Sequence, residues 1–140
     1  WILLRTASSL NWRYAHPSAG RFAIRAAFEK DELIGYCVVR VGGPCAHIAD
    51  LLVLPGRTEV ADALVVDALE VAAGSGANAM VCWLVSDHPY FDLVRGRGFV
   101  VTGSSTGCMV KNEKLEPGAL DFLELPETRV HVTIGDSDWV

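Results

Sequence analysis

Asp50-Leu51-Leu52-Val53-Leu54-Pro55-Gly56-Arg57-Thr58-Glu59-Val60-Ala61-Asp62-Ala63-Leu64 changes its periodicity in the middle. It begins as an apolar run that holds one carboxylate, breaks at a Pro-Gly pair, and resumes with helical spacing. Strand, tight turn and helix are the consequence. From Thr58 to Ala73 the polar positions Thr58, Glu59, Asp62, Asp67 and Glu70 fall in one narrow arc. Val60, Ala61, Leu64, Val65, Ala68, Leu69, Val71 and Ala72 cover the rest, so the helix needs a broad apolar surface to lie on. Gly74-Ser75-Gly76 stops it. Ala79 to Val85 then runs apolar without alternation, as expected of a strand covered on both faces. The three pieces make a right-handed parallel unit, with pairing expected between Leu51 to Leu54 and Val81 to Val85.

Upstream, Arg21 to Val41 has the pattern of a hairpin. Phe22, Ile24, Ala26 and Phe28 share one face, Glu29-Lys30-Asp31-Glu32 forms a charged turn, and Leu33 to Val41 returns. Gly42-Gly43-Pro44 reverses the chain again, into a strand from Cys45 to Leu54. Three antiparallel strands therefore precede the parallel unit, and the class is α+β, a mixed sheet flanked by helices. Downstream, Pro89 suits the first position of a helix capped by Asp87 or Ser86. Val100 to Val110 reads as a strand interrupted by glycines. Lys111 to Glu127 is long for a loop and has room for a short helix around Leu120 to Leu125. Arg129 to Ile134 alternates as a last strand that closes a C-terminal antiparallel hairpin. Ahead of all this, Trp1 to Gly20 holds the cluster Asn11-Trp12-Arg13-Tyr14-Ala15-His16-Pro17, where Pro17 ends any helix and Trp12 and His16 are expected to pack over the sheet edge.

Composition removes several classes of function. The 140 residues fit one domain, divided into an N-terminal arm (1–20) and a core (21–140). Twelve basic against seventeen acidic residues, a net charge of −5, and no basic cluster argue against a nucleic-acid partner. No apolar run has the length of a membrane span. Cys37, Cys45, Cys82 and Cys108 show no Cys-x-x-Cys spacing, and Cys37 and Cys82 sit in apolar strands, which points to free thiols in the cytoplasm. His47, His88 and His131 have no metal-ligand spacing, so no metal is expected and surface or turn positions are. No Gly-x-Ser-x-Gly elbow points to a serine hydrolase.

Asp-Leu-x-Val-x-Pro leading into a helix, then a buried strand and a short helix ending in Gly98-Phe99, resembles the GNAT (GCN5-related N-acetyltransferase) superfamily. The likeness extends from Arg21 to the C-terminus. It implies an acyl transfer from acetyl-CoA to an amine, carried by a small molecule or a protein. It further implies that Val53 and the turn and helix start, with Arg57, Thr58, Val60, Ala61 and Ala63, bind the cofactor. The family signature Gln/Arg-x-x-Gly-x-Gly/Ala falls on Thr58, Ala61 and Ala63, and only Ala63 conforms. The family's usual first strand and two helices have too little chain before Arg21. A C-terminal lobe of a larger protein is therefore expected, with a homodimer or a fused partner lobe covering the exposed apolar face.

Acyl transfer needs a cradle for pyrophosphate, a route for the amine proton and a proton for the leaving thiolate. A helix N-terminus offers unpaired N–H groups to phosphate, but Glu59 and Asp62 add repelling carboxylates there, and Arg57 is the residue that can offset them. Asp50, on one strand face with Ile48 and Leu52, must find a partner or suffer a raised pKa. It is either a general base or a hydrogen-bonded structural aspartate. The family's acid, a Tyr four residues before Gly98, is replaced by Val94. Tyr90, one turn earlier, is the substitute, or else a core tyrosine. Two functions remain: an N-acyltransferase, or a non-catalytic module of the same shape that serves as an interaction or structural lobe.

Overall fold

The computed structural model describes residues 4–85, 87–102 and 131–136. Helix α1 (Ala7–Leu10), with Thr6 as its side-chain N-cap, runs into a π-helical turn, Asn11–Ala15. Strands β1 (Phe22–Glu29), β2 (Glu32–Arg40) and β3 (Cys45–Val53) follow, then helix α2 (Thr58–Gly74), strand β4 (Ala79–Cys82) and helix α3 (Phe91–Gly96). A 3-10 turn (Ile134–Asp136) completes the described chain.

The four strands form one sheet in the order β1-β2-β3-β4, antiparallel through β3 and parallel between β3 and β4. This is the expected mixed α+β sheet. The β1–β2 turn places both Lys30 and Asp31 at positive φ (49° and 69°), the type I′ geometry that follows the twist of the strands. At the other end of β3, Leu54-Pro55-Gly56-Arg57 is a type II turn. Arg57 N–H donates to the Leu54 carbonyl at 3.2 Å, and Gly56 has a φ of 81° that a side chain would resist.

Helices α2 and α3 stop by the same device. After α2, Ala77 N–H donates to the Ala72 carbonyl and Gly76 N–H to that of Ala73; after α3, Phe99 N–H donates to Val94 and Gly98 N–H to Arg95. Both are Schellman motifs around a left-handed glycine, and Phe99 brings an apolar contact with it.

Helix α2 buries Val60, Ala61, Leu64, Val65, Ala68 and Ala72 against Ile34, Cys37, Val39, Ala46, Ile48, Leu51 and Val53 of the sheet. On the other face a smaller cluster joins Tyr14, Val38, Ala49 and Ile134, with Phe22 edge-on to Tyr14 at 5.2 Å. No helix among the described residues is long and apolar enough to cross a membrane.

Several expectations change. Parallel pairing joins Cys45–Ile48 to Ala79–Cys82, not Leu51–Leu54 to Val81–Val85. β4 ends at Cys82, and beyond that rung the strands have separated. Helix α3 begins at Phe91, because Pro89 is spent in a turn closed by Phe91 N–H on the His88 carbonyl at 2.9 Å. Val100 to Thr102 are not strand, and Val100 is 82% exposed. The last strand does not reach Ile134: His131 makes an isolated bridge and the 3-10 turn follows. In the arm, Tyr14 covers the sheet, whereas Trp12 is 68% exposed and His16 is exposed. The rest of the expected hairpin, Thr102 aside, the helix around Leu120 to Leu125, and Cys108 lie outside the described residues.

Candidate active site

The separation of β3 from β4 creates the site. Leu54 N–H donates to the Ile34 carbonyl on β2 at 2.9 Å, so the preceding N–H, that of Val53, points the other way, into the gap that β4 has left. Tyr90, at the N-cap of α3, brings its phenol to that N–H. Burial raises the Tyr90 pKa and the Val53 N–H pulls it back in part, leaving a protonated phenol at neutral pH. Two of the residues singled out in the sequence, far apart along the chain, are thus neighbours. Val94, at the place of the family's Tyr, is buried in the core.

Asp50 lies on the opposite face of the sheet from α2. A bulge puts it there: Val38 faces Asp50 while Val39 faces Ile48, so Ala49 is an extra residue. Ile48 therefore packs under α2, and Asp50 does not share its face as strand alternation predicts. Only 1% exposed, Asp50 is held by the Arg5 guanidinium (3.1 and 3.2 Å), the Tyr36 hydroxyl (2.9 Å) and the Thr133 hydroxyl (3.4 Å). Arg5 also reaches Asp136 at 2.9 Å, and Asp136 accepts the Thr133 N–H at 2.8 Å. Burial alone would raise the Asp50 pKa. The adjacent His131 ring, Arg5 and Tyr36 outweigh it and hold the carboxyl below its ordinary range. Gly135 has no room for more than hydrogen, since a Cβ there would meet the Tyr14 hydroxyl at 2.0 Å and the Ala49 carbonyl at 2.6 Å.

Two histidines link this cluster to Tyr90. His88 Nε2 is 2.8 Å from His131 Nδ1, the Tyr90 N–H donates to His88 Nδ1 at 3.1 Å, and His131 Nε2 stands 3.8 Å from Asp50 Oδ1. His88 lies in a turn, one of the two placements read from the sequence, but it is not on the surface, being 8% exposed. His47 is half-buried on β3. Nothing in the sequence marks the His88–His131 pair, because 43 residues separate its members. Tyr36 was within reach of a register argument: a buried aspartate needs donors, and Tyr36 is two residues from Val38, which faces Asp50.

At the start of α2 the expected anion-binding groups divide. The Thr58 and Ala63 side chains are exposed, whereas Val53, Val60 and Ala61 are buried in the core and can offer a ligand only backbone. Arg57 is engaged by Glu29 at 2.9 Å and Glu59 at 2.5 Å, and Arg97 grips Asp62. The carboxylates in the first turn are therefore matched by guanidinium groups. These pairs are exposed, so solvent and salt weaken them.

No family model matches the chain, and no curated protein matches it by sequence. Solved structures do match, 21 chains of them. A candidate acetyltransferase from Pyrococcus furiosus superimposes with a TM-score of 0.58 at 21% identity, over 65% of this chain and 67% of its own. The aminoglycoside N-acetyltransferase AAC(6')-Iy, solved in complex with CoA, gives 0.53 at 15% identity over 65% and 76%. An aminoglycoside acetyltransferase from an uncultured soil metagenomic sample, solved with trehalose, gives 0.59 at 12% over 79% and 77%. The chain has the GNAT acetyltransferase fold. At these identities the likeness is one of fold alone, and the side chains of the site are this chain's own.

Proposed function

We propose that this GNAT domain is an N-acyltransferase that moves an acetyl or other acyl group from acyl-CoA to an amine. The observation that carries the reading is the open β3 edge, where the Val53 N–H and a protonated Tyr90 phenol meet beside the start of α2. Backbone donors at a helix start and on a strand edge do not depend on side-chain identity, so the missing signature glycines do not remove them. The exposed groups Thr58 and Ala63 line the approach for pyrophosphate, with Arg57 as the near cation, and Val53, Val60 and Ala61 contribute main chain. The amine nitrogen attacks the thioester carbonyl, the C–S bond breaks, Tyr90 protonates the departing thiolate, and the proton shed by the amine restores the phenol through solvent. Asp50 acts on the amine side through its cluster, in which, among the described residues, the one cation Arg5 is shared by two carboxylates, Asp50 and Asp136, and the remaining negative charge draws in a cationic acceptor.

Solved neighbours that are aminoglycoside acetyltransferases, one of them with CoA bound, support an amine acceptor and acetyl-CoA as donor. The free thiols of Cys37 and Cys82, both raised in pKa by burial, suit a reducing cytoplasm. The exposed Ile24 and Phe28 on β1, with Leu33 facing Phe28 across β2, offer a place for a second copy or a fused lobe.

Calorimetry with acetyl-CoA, paired with a thiol-release assay over a panel of amines, tests the reading. Tyr90→Phe is expected to bind acetyl-CoA as the parent does and to lose roughly 10²-fold or more in turnover. No heat of binding at about millimolar cofactor would leave the non-catalytic module as the function.

A further inference from the structure

The His88–His131 contact has a definite arrangement of hydrogens, and it follows from one backbone group. A peptide N–H can only donate, so the Tyr90 N–H at 3.1 Å requires a lone pair on His88 Nδ1. Neutral His88 then carries its proton on Nε2. The 2.8 Å contact with His131 Nδ1 has room for one hydrogen, which makes that nitrogen the acceptor. Neutral His131 in turn carries its proton on Nε2, the atom that faces Asp50 Oδ1 at 3.8 Å. One amide at the head of α3 thus fixes the tautomers of both rings and aims an N–H at the carboxylate.

Adding a proton to this pair is possible in only one way. Neither of the two facing nitrogens can gain a hydrogen without setting two N–H groups head to head. The open position is His88 Nδ1, and filling it expels the Tyr90 N–H. The shared hydrogen can then cross to His131 Nδ1, so that the charge settles beside Asp50. We propose that His88 and His131 are a proton-linked positioning pair coupling Asp50 to Tyr90, in which uptake of one proton and release of the Tyr90 N–H are a single event.

Among the described residues, the groups that face the pair are Asp50 on β3, with Arg5, Tyr36 and Thr133 on its carboxylate and Asp136 on Arg5, and Asp87 and Tyr90 beside His88. Burial and then a charge on the neighbouring His131 ring lower the His88 pKa from 6.5 to about 4, against an opposing pull from Asp87, so a second proton does not follow the first onto the pair near neutral pH. The coupling itself stands on geometry. Its meaning for catalysis rests on the acyltransferase reading: the pair would let the protonation state on the amine side move the residue that serves the thiolate.

Nitrogen-15 NMR of the histidine rings in the full chain decides this. At about pH 8 both rings are expected to carry hydrogen on Nε2 and none on Nδ1. As the pH falls to about 4 the two rings should gain one proton in one shared step, and the Tyr90 amide resonance should move with it. A Nδ1–H on either ring at high pH, or two separate titrations with a stationary Tyr90 amide, overturns the proposal. In His131→Gln, which leaves no second ring for the charge to settle on, the Tyr90 amide should follow His88 alone, at a lower midpoint than in the parent. If that variant does not fold, the parent spectra are sufficient. Acetyl-CoA calorimetry on the same samples keeps the two ideas apart, since coupled titration without cofactor binding supports the pair and sinks the acyltransferase.

Discussion

Leu51 and Asp50 are adjacent on one strand and each is almost completely buried, yet they live under different physics. Leu51 lies in the apolar layer beneath α2, where closeness of fit is the whole requirement. Asp50 lies on the opposite face among Arg5, Tyr36, Thr133 and His131, where each group is tolerable only because the others are present. An apolar layer accepts any side chain of the right volume. A buried ionic cluster does not degrade gradually: removing one member leaves another charged and dry. The α2 face therefore holds the domain together, and the opposite face holds specific groups at fixed positions.

The sharpest way to separate the two faces is to truncate both residues. Asp50→Ala is expected to cost about 3–5 kcal/mol because it strands the Arg5 guanidinium, and Leu51→Ala about 2–5 kcal/mol through lost transfer energy and the cavity. Size does not distinguish them, but pH does. The folded-state pKa of Asp50 is depressed below its ordinary 3.8, so its stabilisation is fully present above that value and is lost as the pH falls through the lower folded value. Urea titrations at neutral and strongly acidic pH should show the Asp50→Ala penalty shrinking in acid while that of Leu51→Ala persists. Equal penalties for Asp50→Ala at both pH values would mean that the carboxylate is not held by charge.

The two faces were also unequally legible in the sequence. Helical spacing from Val60 to Ala72, the Pro55-Gly56 break and the apolar run after Gly76 specify strand, turn, helix and strand within a few residues, since each signal is local. The site is assembled by contacts that no local pattern records. Arg5 is 45 residues from Asp50, Thr133 is 83 from it, and an extra residue at Ala49 turns Asp50 to the face that strand alternation does not predict. Tyr90 was legible as a candidate because it sits one helical turn before Val94. Its His88 neighbour was visible only as an isolated histidine next to a proline.

A smaller perturbation asks whether the polar face tolerates any change of shape. Gly135→Ala places a methyl group on the Tyr14 hydroxyl and the Ala49 carbonyl, and the second of these is backbone that cannot swing away. An overpacking cost of about 1–3 kcal/mol is expected in urea unfolding. Gly74→Ala, where a Cβ meets nothing within 4 Å, is the control, and a helix-favouring methyl there should be neutral or slightly stabilising. If both changes behave alike, the contact of the 3-10 turn with Tyr14 does not constrain the fold.

The smallest effect lies at the start of α2, where the comparison reaches function. Asp62 and Arg97 form an exposed pair whose removal should leave the unfolding midpoint unchanged, because water already screens it. In Asp62→Asn, however, a carboxylate disappears from the first turns of a helix whose N-terminus is the proposed pyrophosphate site, and the Arg97 guanidinium loses its bound counter-charge. Both changes favour an anion. Affinity for acetyl-CoA at low salt is then expected to rise about twofold to fivefold, the size of a single charge interacting with a helix end. The gain should fade as ionic strength approaches about 1 M, where screening acts over only about 3 Å. Asp67→Asn is the matched control: it also removes a carboxylate from an exposed arginine pair on α2, but farther along the helix. A gain confined to Asp62→Asn places the phosphates at the helix start. Equal gains in both variants reduce the effect to net charge, and the α2 N-terminus loses its claim to the cofactor.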